Sequence, residues 1–145
     1  RYFNGKPQLG LISGANLKRG AFATSVAHDS HNIIVSGDND RHILAAIREL
    51  ENAGGGITLV KDGTVIETLS LPIGGIMSDM DAFSVSKKME RMKKTAHEEL
   101  NVSTDVDPFM TLSFLALPVI PSLKVTPRGL FDVDKFDFVP MEWEE

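Results

Sequence analysis

Three consecutive glycines, Gly54-Gly55-Gly56, constrain this chain most, because the stretches on either side of them follow different side-chain periodicities. Before them, Ile43, Ala46, Ile47 and Leu50 recur at i, i+3, i+4 and i+7, the stripe of an amphipathic helix, and Ser36-Gly37-Asp38-Asn39 supplies a turn and a capping residue. After them, Ile57 to Lys61 and Thr64 to Leu71 are rich in β-formers and are separated by Asp62-Gly63, the signature of a tight hairpin. Glycine adopts the left-handed conformation without steric cost, so the run ends the helix and releases the chain into a strand. The same order excludes a phosphate-cradling loop, which lies after a strand and before a helix.

Pro72-Ile73-Gly74-Gly75 closes the hairpin unit, and a second helix is predicted from about Asp81, with Ala82, Val85, Met89, Met92 and Ala96 on one stripe. Lys87, Lys88, Arg91, Lys93 and Lys94 then form its wet face. His97 falls near the C-terminus of this helix, where the dipole favours a cation, and reads as structural. His42, in the first turn of the earlier helix, reads as exposed and incidental. Beyond Asn101 the chain is apolar from Phe109 to Ile120, and Pro118 and Pro121 cap or end elements there. Gly129 to Val139 alternates aromatic and acidic positions and suits one final strand or extended arm. The expected fold class is α+β, a mixed α/β single compact domain over residues 1–145, with β-hairpins packed against two main helices.

The chain has 145 residues, one ordinary domain in size, and it begins at Arg1 without the apolar core or cleavage site of a signal peptide, so it reads as a fragment of a longer protein. Fifteen basic and twenty acidic residues, interspersed, give a net charge of -5, which argues against a nucleic-acid surface. No apolar run approaches the roughly 20 residues of a membrane-spanning helix. The absence of cysteine removes thiolate metal sites, disulfides and cysteine nucleophiles, and fits a cytoplasmic location.

Ser25 to Val35 (SVAHDSHNIIV) concentrates two imidazoles, a carboxylate, hydroxyls and an amide between β-formers. If Phe22 to Ala27 and Asn32 to Val35 are strands, Asp29-Ser30 forms the turn and His28 and His31 flank it as cross-strand neighbours. A continuous strand instead puts His28 and His31 on opposite faces, leaving Asp29 with His31. Against a functional reading stands a structural one, in which ordinary half-buried histidines flank a turn fixed by Asp29 and Ser30. A His-x-x-His pair lacking a third ligand is a weak metal signal.

Three segments occur in an order that resembles the C-terminal domain of bacterial adenine deaminase: Lys18 to Ile33 (KRGAFATSVAHDSHNI), Pro72 to Asp79 (PIGGIMSD) and Asp107 to Pro121 (DPFMTLSFLALPVIP). The ending Gly129 to Val133 (GLFDV) looks like that family's terminus, and the resemblance extends from about Leu17 to Pro140. It implies part of a metal-dependent hydrolase of the amidohydrolase superfamily, converting adenine and water to hypoxanthine and ammonia, in which a metal lowers the pKa of the water that attacks C6 of the purine. The family's manganese or iron is bound by a barrel domain that begins with a His-x-His pair. That pair is absent here, so the barrel is expected upstream, no metal ligand is carried over to this chain, and no catalytic residue is assigned to it.

Under this resemblance Ser25, His28, Asp29, His31 and Asn32, with Ser78 and Asp79, are the candidates for the active-site mouth or the domain contact, hydrogen-bonding the purine or orienting groups that do. Met77-Ser78-Asp79 serves equally well as a helix-entry cap. The implied partners are the upstream barrel, adenine and further copies in a homo-oligomer. An alternative makes the chain a structural or oligomerisation domain whose apolar segment Phe109 to Ile120 buries a subunit interface. A third reading is a self-contained metal hydrolase built on His28, Asp29 and His31.

Overall fold

Residues 7–141 are described by a computed structural model of the chain. The stretch Arg1 to Lys6, read above for leader features, lies outside the described residues. In chain order the elements are β1 (Gly20–Thr24), β2 (Ile34–Gly37), α1 (Asp40–Asn52), β3 (Gly56–Lys61), β4 (Thr64–Ser70), α2 (Ala82–Leu100), α3 (Pro108–Phe114), β5 (Leu123–Thr126), β6 (Gly129–Asp132) and β7 (Asp137–Val139). They build a four-stranded antiparallel sheet ordered β2-β1-β3-β4 and a separate three-stranded antiparallel sheet ordered β5-β6-β7.

Alternation along the central strands divides the core between the two faces of the sheet. Ala21, Ala23 and Val60 face α1, which returns Ala46 and Leu50, while Phe22, Ile57, Leu59 and Leu69 face α2 and α3. The small side chains on the first face let α1 lie close to the sheet. On the second, Met92, Ala96 and Leu100 of α2 meet Phe109 and Leu112 of α3, and the Phe22 and Phe109 rings pack edge to face at 6.5 Å. The mixed α+β class expected from the sequence is observed, with its two long helices in place.

The local signals around the glycine run hold. Asn39 caps α1 by accepting the His42 N–H at 3.1 Å, Gly54 takes φ 73° just past the helix, and Asp62 and Gly63 take φ 52° and 81°, the positive pair of a type I′ hairpin. On α2, Arg91 pairs with Glu67 of β4 and Lys93 with Asp107 ahead of α3, so the basic face is exposed but partly tied down.

Three expectations need correction. The strands flanking the polar run are β1 and β2, whose ladder ends at the Thr24–Ile34 pair, so residues 25–33 form a loop and neither a tight Asp29-Ser30 hairpin nor a continuous strand. The backbone is diverted by other partners: Thr24 Oγ1 accepts the Val26 N–H at 3.0 Å, and the His28 N–H donates to the Ser113 carbonyl of α3 at 2.9 Å. Second, the apolar segment begins with α3, capped by Asp107 and started by Pro108; Phe109 and Leu112 are core, whereas Met110 is exposed and Phe114 only half-buried. Third, the final segment is two strands, β6 and β7, because Asp132 Oδ1 accepts the N–H groups of Asp134 and Lys135 at 3.0 and 3.1 Å and folds the chain back.

Candidate functional site

Antiparallel pairing brings the C-terminal ends of β1 and β4 beside the N-terminal ends of β2 and β3, as the pairs Thr24–Ile34, Thr24–Ile57 and Gly56–Ser70 record. Both loops that carry candidate residues, 25–33 and 71–81, therefore leave the same end of the sheet. Ser25 joins them. Its buried hydroxyl accepts the Gly56 N–H at 2.7 Å and donates to the Gly75 carbonyl, while its own N–H donates to Gly56 O at 2.9 Å. The approach requires glycine, since a Cβ on Gly55 would stand 2.4 Å from Gly75 Cα. Ser25 is a latch between the loops, with its polar atoms turned inward.

The remaining candidates of the first loop divide by engagement. Asn32 Nδ2 donates to Ser30 Oγ at 3.2 Å inside the loop. His28 and His31 are exposed with ring centroids 6.3 Å apart, and the His28 ring stacks on Phe114 at 5.0 Å and 19°. Asp29 is exposed between them, and among the described residues no hydrogen bond or ion pair engages the side chains of His28, Asp29 or His31. The histidines are thus loop neighbours, one held flat against α3, and neither the cross-strand pair nor the opposite faces of one strand read from the sequence.

In the second loop Ser78 Oγ accepts the Met80 N–H at 3.1 Å, and Asp79 is exposed. The cap of α2 is Asp81, which accepts the Ser84 N–H at 3.0 Å and the Ser84 hydroxyl at 2.6 Å, so the helix-entry role weighed for Met77-Ser78-Asp79 falls to a residue two positions on. The Ser84 hydrogen bonds hold the Asp81 carboxyl below its usual pKa. Around these polar groups Ile73, Met77, Met80 and Phe83 present exposed apolar side chains.

Among the described residues no three His, Asp or Glu side chains converge as a metal site requires, and His28, Asp29 and His31 do not fit a self-contained metal centre.

Sequence reasoning placed His42 in solvent, and the structure corrects this: it is 7% exposed. Its Nδ1 lies 2.6 Å from Asp38 Oδ1, and the other Asp38 oxygen accepts the Arg19 N–H at 2.7 Å. The pair ties the start of α1 to the start of β1 at the opposite end of the sheet from the two loops. Burial tends to raise the Asp38 pKa, but hydrogen bonds from His42 and the Arg19 N–H outweigh it and hold the carboxyl low. His97 is structural as expected, its Nδ1 lying 3.1 Å from the Val102 carbonyl. Two concavities, of about 310 Å³ beside Ser36 and Asp38 and about 300 Å³ beside Leu9 and Leu130, lie away from both loops.

Residues 1–137 match the family described as the adenine deaminase C-terminal domain. The chain belongs to this family. It is 58% identical over 134 residues to an adenine deaminase of Nitratidesulfovibrio vulgaris (strain DP4), covering 92% of this chain and 23% of that protein. Against an adenine deaminase of Clostridium acetobutylicum the identity is 49% over 136 residues, covering 94% of this chain and 24% of the relative. Against adenine deaminase 2 of Carboxydothermus hydrogenoformans it is 50% over 139 residues, covering 96% and 24%. The chain thus spans about a quarter of the length of these curated relatives. In this adenine deaminase C-terminal domain, the sheet end carrying loops 25–33 and 71–81 is where unengaged polar side chains and exposed apolar ones gather. No helix of the described residues is long and apolar enough to cross a membrane.

Proposed function

We propose that this chain is the C-terminal part of an adenine deaminase, and that its loops 25–33 and 71–81 border the active site of a catalytic domain lying upstream in the same polypeptide. The reaction is hydrolytic: adenine and water give hypoxanthine and ammonia, with water oxygen bonding to C6 and the C6–N bond breaking. The metal, manganese or iron, belongs to the upstream domain. Curated relatives four times as long, named adenine deaminase, support the activity.

The observation that carries the domain's role is the convergence of the two loops through the Ser25 latch, with the side chains of His28, Asp29, His31 and Asp79 making no hydrogen bond or ion pair among the described residues. Unengaged polar groups can hydrogen-bond purine ring nitrogens or hold neighbouring groups in orientation. His28, stacked on Phe114, has the more fixed ring; Asp29 and His31 stand free beside it.

The test uses the full-length enzyme. His31→Ala and Asp29→Asn should each lower kcat/KM for adenine by about tenfold or more, the equivalent of roughly 1.4 kcal/mol of transition-state stabilisation, with little change in Tm. Variants that keep wild-type kcat/KM would remove the loop from the active site. Activity per folded molecule preserved while Tm falls would make these residues structural.

A further inference from the structure

The small sheet β5-β6-β7 has two different faces. Cross-strand pairing puts Val125, Leu130 and Val139 on one side and Lys124, Phe131 and Phe138 on the other. The first side is covered by the incoming chain: a Cβ on Gly10 would lie 2.7 Å from Val125, and Pro7 to Leu9 line a concavity with Leu130 and Val139. The second side carries an aromatic cluster. Phe131 packs edge to face with Phe136 and Phe138 at 5.5 and 5.2 Å, and the Arg128 guanidinium lies 4.9 Å from the Phe138 ring. Phe136 is nevertheless 81% exposed and Phe138 39%. This sheet is joined to the rest of the domain through the connection after α3, where the Val125 N–H donates to Leu115 O at 2.9 Å.

We propose that the aromatic face of β5-β6-β7 seats on the polypeptide that precedes this chain in the full-length enzyme. About three-quarters of the length of the relatives lies outside the matched region, and the family's description as C-terminal sets that length upstream. At Pro7 to Leu9 the described chain lies against the reverse side of the same small sheet. Phenylalanine and arginine, the side chains of this cluster, are also enriched at protein interfaces relative to the rest of the surface. The inference rests on the reading of the chain as part of a longer deaminase, but it concerns a surface separate from loops 25–33 and 71–81.

Hydroxyl-radical footprinting of the full-length enzyme and of the 145-residue chain separates the two readings. Phe136 and Phe138 should be modified at least about fivefold more slowly in the full-length enzyme, while Met77, Met80 and Phe83 report independently on the loop end proposed to border the active site. Phe136→Asp, at a largely exposed position whose ring contact inside the domain is with Phe131, should speed proteolytic release of this domain from the full-length enzyme and change the Tm of the 145-residue chain only slightly. Equal modification of Phe136 in both proteins would overturn the inference even if the methionines are protected. Protection that vanishes on dilution to monomer would assign the face to a second copy and overturn it as well.

Discussion

Ser25 does at one atom what the two loops need, and removing that atom should be felt in both. Ser25→Ala leaves the Gly56 N–H without its 2.7 Å acceptor and the Gly75 carbonyl without its donor, in a site where water cannot replace them freely. A loss of about 1–3 kcal/mol in urea unfolding is expected, the cost of stranding a buried backbone group. Asp38 gives a prediction in pH. Its carboxyl is held low in the folded protein, so its contribution is present above the unfolded value of about 3.9 and is lost as pH falls through the lower folded value. Asp38→Asn should therefore flatten the acid limb of the Tm–pH curve and lower Tm near neutral pH, where the wild-type carboxylate is engaged. An unaltered acid limb would show that the His42 and Arg19 contacts do not bias its titration. The sequence announced the polar loop because it was dense, yet hid His42: a helix first turn is normally wet, and here the Asp38 carboxylate and the Asn39 amide, 2.6 and 2.8 Å from Nδ1, hold the ring inward.

Periodic elements were legible and short ones were not, for a physical reason. α1, α2 and the β3-β4 hairpin each repeat a pattern over enough residues to declare themselves, and Asp62-Gly63 fixes its turn chemically. α3 has seven residues, less than the span over which a 3.6-residue period separates from a simple apolar run. Its cap was nonetheless written in the sequence, as Asp107-Pro108. The meander at the end was misread as one strand because its turn rests on Asp132 and a left-handed Phe136 at φ 55°, where glycine would have signalled it. The corrected burial separates two phenylalanines that looked equivalent. Phe109→Ala should cost about 3–5 kcal/mol, since that ring is 4% exposed and packs on Phe22. Phe114→Ala should cost clearly less in stability, because its ring is half-buried against His28, and in the full-length enzyme it should lower kcat/KM by freeing that imidazole. Equal losses of Tm for the two would place Phe114 in the core after all.

At the scale of the whole molecule, apolar side chains remain exposed after the domain has built its own core, among them Met80 and Phe83 beside the second loop and the rings of Phe136 and Phe138 on the small sheet. The core itself is sufficient, with both faces of the large sheet covered by helices and the buried side-chain nitrogens and oxygens among the described residues all hydrogen-bonded. The 145-residue chain alone should therefore unfold cooperatively in urea yet release no ammonia from adenine and hold no stoichiometric transition metal, since no three ligand side chains converge among its described residues. Activity should appear only when the upstream polypeptide is present. The measurement is hypoxanthine formation by the purified chain beside that of the full-length enzyme, with metal content determined on both. Turnover by the chain alone would mean that His28, Asp29 and His31 assemble a centre on meeting substrate, and would move the chemistry from the proposed upstream domain to the loop proposed to stand only at its border.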